Sequence, residues 1–284
     1  VDEAAWLPRF CHRLRKALRE KGYGSGGVGL RVAGDAFGGD EGPDGKTRGS
    51  WEDNDRTWVV SGESAVDTYR YAGTAAQLAI ALAKIGKKDP EGVDWAREAR
   101  EAYAWAAAHE RESEKGLVVE RRRYAAALLF ALTGERAYEA TLDADTKDLK
   151  PTDELWYESV FGPGLYLLLD GPTPRDAALD ARLRATLLNT ADRACDTADR
   201  RALRYGGLFS MPMLIGQQTT PWMMETAIAR GVVGKSDPAR ATRYLRAMRT
   251  TADFFLGNNA LNQTWITGVG PRFPREIFHM DAWY

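Results

Sequence analysis

Three histidines and two cysteines are spread through 284 residues. So few soft ligands exclude a His-rich metal centre, and two cysteines as far apart as Cys11 and Cys195 form no metal signature. They leave either one disulfide or two buried free thiols, and the redox compartment stays open between them. Net charge is −1, which excludes a global attraction to nucleic acid or to an anionic membrane. The longest wholly apolar run, Tyr124–Leu132, is nine residues, against the roughly 20 that a membrane-spanning helix needs. No secretory signal is visible. A Walker A loop, a dinucleotide fingerprint in a β–α–β setting, His-Glu-x-x-His, paired Cys-x-x-Cys and Gly-x-Ser-x-Gly are all missing as well.

What is present is a globular composition, 44% hydrophobic and 28% charged, sufficient for a sizeable core. Nine Trp, eleven Tyr and nine Phe supply flat rings that fill cores and also stack on the apolar faces of sugars. Helical periodicity dominates. It predicts helices over 2–21, 65–85, 91–110, 120–133, 135–142, 154–169, 175–201, 221–233 and 238–256. Asp89-Pro90, Pro174 and Asp237-Pro238 act as start signals, and Gly86, Gly134, Gly234 and Gly257 as stops. Gly162-Pro163-Gly164 predicts an interruption of the sixth helix. Residues 22–63, rich in Gly, Asp and Pro, predict a short hairpin at Gly27–Ala33 and a long loop at Asp35–Ser64. Helices 65–85 and 120–133 are apolar nearly all round. Helices 91–110 and 175–201 are one-faced, the latter with a Leu179, Leu183, Leu187, Ala191 stripe. Buried and half-exposed helices in alternation predict two concentric layers, an all-α (α/α) barrel or toroid. No fixed repeat favours a solenoid, and no Pro/Ser linker divides residues 1–284, so a single domain is expected.

Several stretches could carry chemistry. Helix 2–21 groups Arg9, His12, Arg13, Arg15, Lys16 and Arg19; a solvated face outweighs a nucleic-acid patch, because no aromatics interleave with the charge. In the long loop, Trp51 and Trp58 bracket Glu52, Asp53 and Asp55. Rings with carboxylates suit a sugar, while a loop pinned by its tryptophans or a calcium loop are the alternatives. Arg70, between Tyr69 and Tyr71 in an apolar helix, must either pair with a structural carboxylate or face a cleft. In Tyr205–Met224, Gln217, Gln218 and Trp222 are open to core packing or to sugar hydrogen bonds. The C-terminal stretch ends helix 238–256 at Gly257 and predicts a β-type run at Thr264–Thr267. It then brings His279 and Asp281 to one side of an extended segment, beside Trp283 and Tyr284; that pair is structural or functional.

The run from Leu256 to His279 resembles the Leu-Gly-x-Asn-Pro-Leu-x-x-(Ser/Thr)-aromatic-(Val/Ile)-Thr-Gly-x-Gly segment of glycoside hydrolase family 9. The Ser50–Leu82 and Arg121–Tyr138 stretches agree with the same family in the same order. The resemblance implies an (α/α)6 barrel, incomplete at both ends in this chain, and hydrolysis of β-linked polysaccharide or oligosaccharide by inversion. It implies a cleft lined by Trp51, Trp58, Tyr71, Trp265, His279 and Trp283, with Glu52, Asp53 and Asp281 as polar contacts. It further implies a secreted or periplasmic location. The departures are specific. Asn259-Ala260 stands for the family's Asn-Pro, and Phe278-His279-Met280 for its His-His-Arg. Glu120-Arg121 falls where its calcium-binding acidic pair belongs, so no cofactor is expected and that calcium site is lost. Asp35 lacks the preceding Asp of the family's Asp-Ala-Gly-Asp, so the catalytic Asp pair and Glu are expected outside these residues. A polysaccharide lyase on a similar toroid and a non-catalytic glycan-binding or scaffold protein are the competing functions. Nucleic acid and membrane are not expected partners.

Overall fold

A computed structural model describes residues 2–29, 32–34, 58–155, 157–206, 223–234 and 236–275. Its helices are α1 (Asp2–Glu20), α2 (Ala65–Lys84), α3 (Trp95–Ala108), α4 (Lys115–Thr133), α5 (Arg136–Thr146), α6 (Phe161–Leu168), α7 (Ala177–Arg200), α8 (Met224–Val233) and α9 (Pro238–Phe255). Short 3-10 turns lie at Glu112–Glu114 and Tyr157–Val160. Several starts are fixed by side chains that take up orphan backbone N–H groups. Ser64 caps α2, Asp94 caps α3, Asp176 caps α7, and Asp237 caps α9 with Pro238 following it. Asp94 also explains why α3 begins four residues inside the expected span. Gly92, at φ 72°, makes a turn there and donates to the Asp89 carbonyl.

The helices form two layers. α2, α4, α6 and α8 pack side by side in that order as the inner layer, and α3, α5, α7 and α9 back them. Inner helices approach closely through glycine. A Cβ on Gly73 would lie 2.3 Å from the Tyr124 ring, one on Gly162 2.8 Å from Arg123, and one on Gly164 2.8 Å from Ile228. Gly162-Pro163-Gly164 therefore sits inside α6 and does not interrupt it. Pro163 falls in the first turn, where its missing N–H needs no acceptor, and its flanking glycines admit α4 and α8.

The core lies between the layers in two adjoining clusters, bridged by Tyr138 and Phe161, which pack on both. Interior tyrosines end on carboxylates. Tyr69 donates to Glu110 at 2.6 Å, Tyr71 to Glu98 at 2.8 Å, Tyr166 to Glu139 at 2.6 Å and Tyr244 to Asp192 at 2.9 Å. A buried ring thus keeps its hydroxyl satisfied, and each such bond to a charged group contributes about 1.5–3 kcal/mol.

Two expected strands take other partners. Val28–Gly29 and Val32–Gly34 do not pair with each other. β1 (Val28–Gly29) pairs antiparallel with β4 (Glu63–Ser64), and β2 (Val32–Gly34) with β3 (Trp58–Val60). The two arms of a long excursion are zipped together at its base. Glu63 reinforces that base, accepting the N–H groups of Ser25, Gly26 and Gly27 and the Ser25 hydroxyl. Residues 264–267 are turns and bends, not a strand. Thr264 donates its N–H to the Arg272 carbonyl and its hydroxyl to Val269, while Trp265 donates its N–H to Phe255 at the end of α9.

The basic run of α1 faces carboxylates. Arg9 pairs with Asp89, Arg13 with Glu91, and Arg15, buried, with Glu98 and the Gly26 carbonyl. Cys11 and Cys195 are free thiols. Among the described residues, no helix is long and apolar enough to cross a membrane.

Candidate functional site

Alternation of inner and outer helices sorts the connections onto two ends. Inner-to-outer links include the brief Gly134–Glu135 between α4 and α5 and the turn between α8 and α9. Outer-to-inner links are 21–64 before α2, 109–114 before α4, 147–160 before α6 and 201–223 before α8, all but the second of them long, and the segment from Leu256 onward leaves α9 on that same end. Contacts fix the polarity. Tyr69, early in α2, meets Glu110 just past α3, and Arg122, early in α4, meets Asp145 late in α5. Gly206, before α8, donates to Thr251 near the end of α9. One end of the scaffold therefore gathers the long loops, the usual place for function on a rigid body.

A cleft of about 350 Å3 is lined by the inner helices. Its walls are Arg70, Thr74 and Gln77 of α2, Arg121 and Tyr124 of α4, Glu158 and Phe161, with Leu165, Met224 and Ile228 below. Arg70, Thr74 and Gln77 fall at helical spacing on a single stripe, while the opposite side of α2 is buried. Glu158 stands between two guanidinium groups, paired to Arg70 through one oxygen and to Arg121 through the other. Arg70 thus has its carboxylate and also borders the cleft, so the two alternatives for it are both realised. Tyr124 donates to the Gln77 side-chain oxygen at 3.0 Å, and burial raises its phenol pKa. Tyr124 and Phe161 meet edge to face, 6.3 Å between centroids. Rings, amide and guanidinium around one small cleft can stack on a sugar face and bond its hydroxyls.

The residues expected to line a cleft divide into three groups. Trp51, Glu52, Asp53, His279, Asp281 and Trp283 lie outside the described residues, as do Gln217, Gln218 and Trp222. Trp58 is placed by its backbone in β3, opposite Gly34, and Trp265 is tied to the end of α9 on the loop-bearing end. Tyr71 is a correction. It is 4% exposed, its hydroxyl serves Glu98, and Arg15 lies over its ring. It belongs to the α1–α2–α3 interior. Arg121, Tyr124, Glu158 and Phe161 went unselected. The polar stripe Arg70, Thr74, Gln77 on an otherwise apolar helix was the available signal for this wall.

At Glu120, where the resemblance implies an acidic pair for calcium, the neighbouring side chains are basic. Glu120 is followed by Arg121, Arg122 and Arg123, and Arg121 is committed to Glu158. Among the described residues, no group of three or more His, Cys, Asp or Glu is arranged to hold a metal.

Residues 32–284 match the model of Glycosyl hydrolase family 9. The chain belongs to this family. No curated protein matches it in sequence. Among solved structures, a metagenome-derived glycoside hydrolase family 9 endoglucanase superposes with a TM-score of 0.74 at 20% identity, over 96% of this chain and 48% of that one. A thermostable endoglucanase from Alicyclobacillus acidocaldarius, solved as a single mutant, gives 0.64 at 23%, over 87% and 46%. A related structure solved in complex with cellobiose-like isofagomine gives 0.65 at 22%, over 87% and 46%. The fold is therefore that of the family 9 helical barrel, and the chain spans about half the length of these relatives.

Proposed function

We propose that this family 9 chain forms the substrate-binding half of a glycosidase that hydrolyses β-linked glycan by single displacement. The observation that carries the reading is the cleft among the inner helices, on the scaffold end that gathers the long loops. Family membership gives the chemistry, and the relative solved with a cellobiose-like inhibitor supports a β-glucan. The glycan lies across the loop-bearing end. Sugar stacking is assigned to Trp51, Trp58, Trp265, His279 and Trp283, and hydroxyl binding to Glu52, Asp53 and Asp281, on the resemblance of their sequence to the family. The water-activating Asp pair and the proton-donating Glu come from parts of the polypeptide other than these residues, with carboxyl groups roughly 6.5–9.5 Å apart to admit a water. The family resemblance supports a secreted or periplasmic location, where a polymeric glycan is within reach.

Purified full-length enzyme, including the polypeptide that supplies the catalytic carboxyl groups, is to be incubated with a panel of β-glucans and chitosan oligomers, with reducing ends assayed and the anomer of the first product read by NMR. Release with inversion is expected. No release across the panel, retention, or products with the ultraviolet absorbance of unsaturated ends would overturn the reading. Cell fractionation tests the location, and a purely cytoplasmic protein would contradict it.

A further inference from the structure

Beside the cleft floor lies a carboxyl group that sugar binding does not use. Met224 and Ile228 line the cleft from α8, and Glu225 falls between them in sequence, in the first turn of the same helix. It is 1% exposed, and among the described residues neither of its oxygens has a hydrogen-bond partner. Met223 and Ile228, on either side of it in the chain, belong to one buried cluster with Cys195 of α7, and Cys195 is near enough to feel the Glu225 charge.

Among the described residues, no cation on the elements packed around α8 is left to answer it. α6 carries no charged residue. On α7, Arg184 is held by Asp180 and Arg193 by Glu154. On α9, Arg240 is held by Asp192, and Arg243 by Asp196 and Asp199. In the 3-10 turn before α6, Glu158 is paired with Arg70 and Arg121. Ahead of α8, Arg201 donates to the Tyr205 and Gly206 carbonyls, and Arg230 on α8 itself is exposed. Burial, and after it the like charge of Glu154, push the Glu225 pKa up to about 8. A carboxylate buried without a donor is strongly disfavoured, so the group is held as the neutral acid.

We propose that Glu225 is a pH-operated latch on the floor of the cleft. Protonated, it lets the first turn of α8 pack inward and keeps Met224 and Ile228 in the floor. In mildly alkaline solution it gives its proton to water. The charged carboxylate then withdraws from the interior, freeing that turn and loosening the floor. The latch stands on the packing of α8; its effect on glycan binding rests on the glycosidase reading.

The test reads opening in the full-length protein by two routes that need no ligand. Maleimide labelling of Cys195, in a Cys11→Ser background, reports access to the cluster beneath the latch. Hydrogen exchange at amides 228–230 reports the helical bonds that reach back to the first turn. Both chemistries quicken with pH on their own, so wild type is compared at each pH with Glu225→Gln and Glu225→Met, which keep the size and remove the charge. Below its midpoint the ionised share of a group grows about tenfold per pH unit. Labelling and exchange in wild type, relative to either variant, should therefore rise on the order of tenfold between about pH 6 and 8. Calorimetric affinity for a neutral β-glucan oligosaccharide should fall over that range in wild type and hold in the variants. Equal pH courses of labelling and exchange in wild type and both variants would overturn the latch, and an equal fall in affinity would overturn its reach into the cleft. Binding of no oligosaccharide at any pH would count against the glycosidase reading, while labelling and exchange would still decide the latch.

Discussion

Arg122 meets Asp145 through two parallel hydrogen bonds, Nε to Oδ2 at 2.8 Å and Nη2 to Oδ1 at 2.7 Å. Its third nitrogen reaches both oxygens of Glu110, which also accepts the Tyr69 hydroxyl. One guanidinium thus ties the first half of α4 to the end of α5 and to Glu110, two residues past α3, on the end that bears the long loops.

Removing that guanidinium strands two partly buried carboxylates. Arg122→Ala is expected to lower unfolding free energy by about 2–4 kcal/mol, read from the urea midpoint. Arg122→Lys should recover less than half, because a point charge cannot reproduce the fork. The pH dependence has a definite sign. Burial opposes the charge on Glu110, but Arg122 and Tyr69 outweigh it and hold the pKa below the ordinary carboxyl value. A depressed folded pKa adds stability above that ordinary value, and the gain is lost as pH falls through the folded pKa. The acid-side loss should therefore be shallower in Arg122→Ala than in wild type. Equal slopes would show that Glu110 draws nothing from Arg122.

The cleft wall depends on a contact with no room to spare. A Cβ added to Gly73 would lie 2.3 Å and 2.4 Å from two atoms of the Tyr124 ring, so the ring must leave its place beside Phe161. Gly73→Ala is expected to destabilise by about 1–3 kcal/mol through overpacking. In the Tyr124→Ala background the same substitution should cost much less, since the obstructing ring is gone. A double-mutant cycle by chemical denaturation measures that coupling. Strict additivity would mean that α2 and α4 separate freely and that Tyr124 is not held by Gly73.

How much was legible follows from which signals are local. The starts of α2 and α9 were legible at Ser64 and Asp237-Pro238, whereas α3 and α7 begin later than expected because Asp94 and Asp176, not the prolines upstream, cap them. The two-layer order was legible because apolar and one-faced helices alternate. Strand pairing was not: Val28 and Val32 find Ser64 and Val60 across a long excursion, a non-local closure that no periodicity encodes. Tyr71 was misplaced for a related reason. Its partners Glu98 and Arg15 come from α3 and α1, and only their convergence shows which side of α2 it occupies. The cleft residue Glu158 was hidden because its two arginines lie on different helices, far off in the chain.

Glu225, in the first turn of α8, is 1% exposed, and among the described residues neither carboxylate oxygen has a hydrogen-bond partner. Burial is the main cause that pushes its pKa up to about 8, with a smaller contribution from Glu154. Between the ordinary carboxyl value and that raised value the folded protein holds a proton that the unfolded chain releases. Stability from this group is therefore greatest below about pH 4.5 and declines as pH rises toward 8. The decline is on the order of 1.4 kcal/mol for each pKa unit, a few kcal/mol in all. Glu225→Gln keeps the shape and removes the titration. It should match wild type near pH 5 and exceed it by a few kcal/mol above pH 8, measured by denaturant midpoints across that range. A Gln variant that follows the wild-type curve at every pH would show that Glu225 is ionised in the fold with a partner of its own.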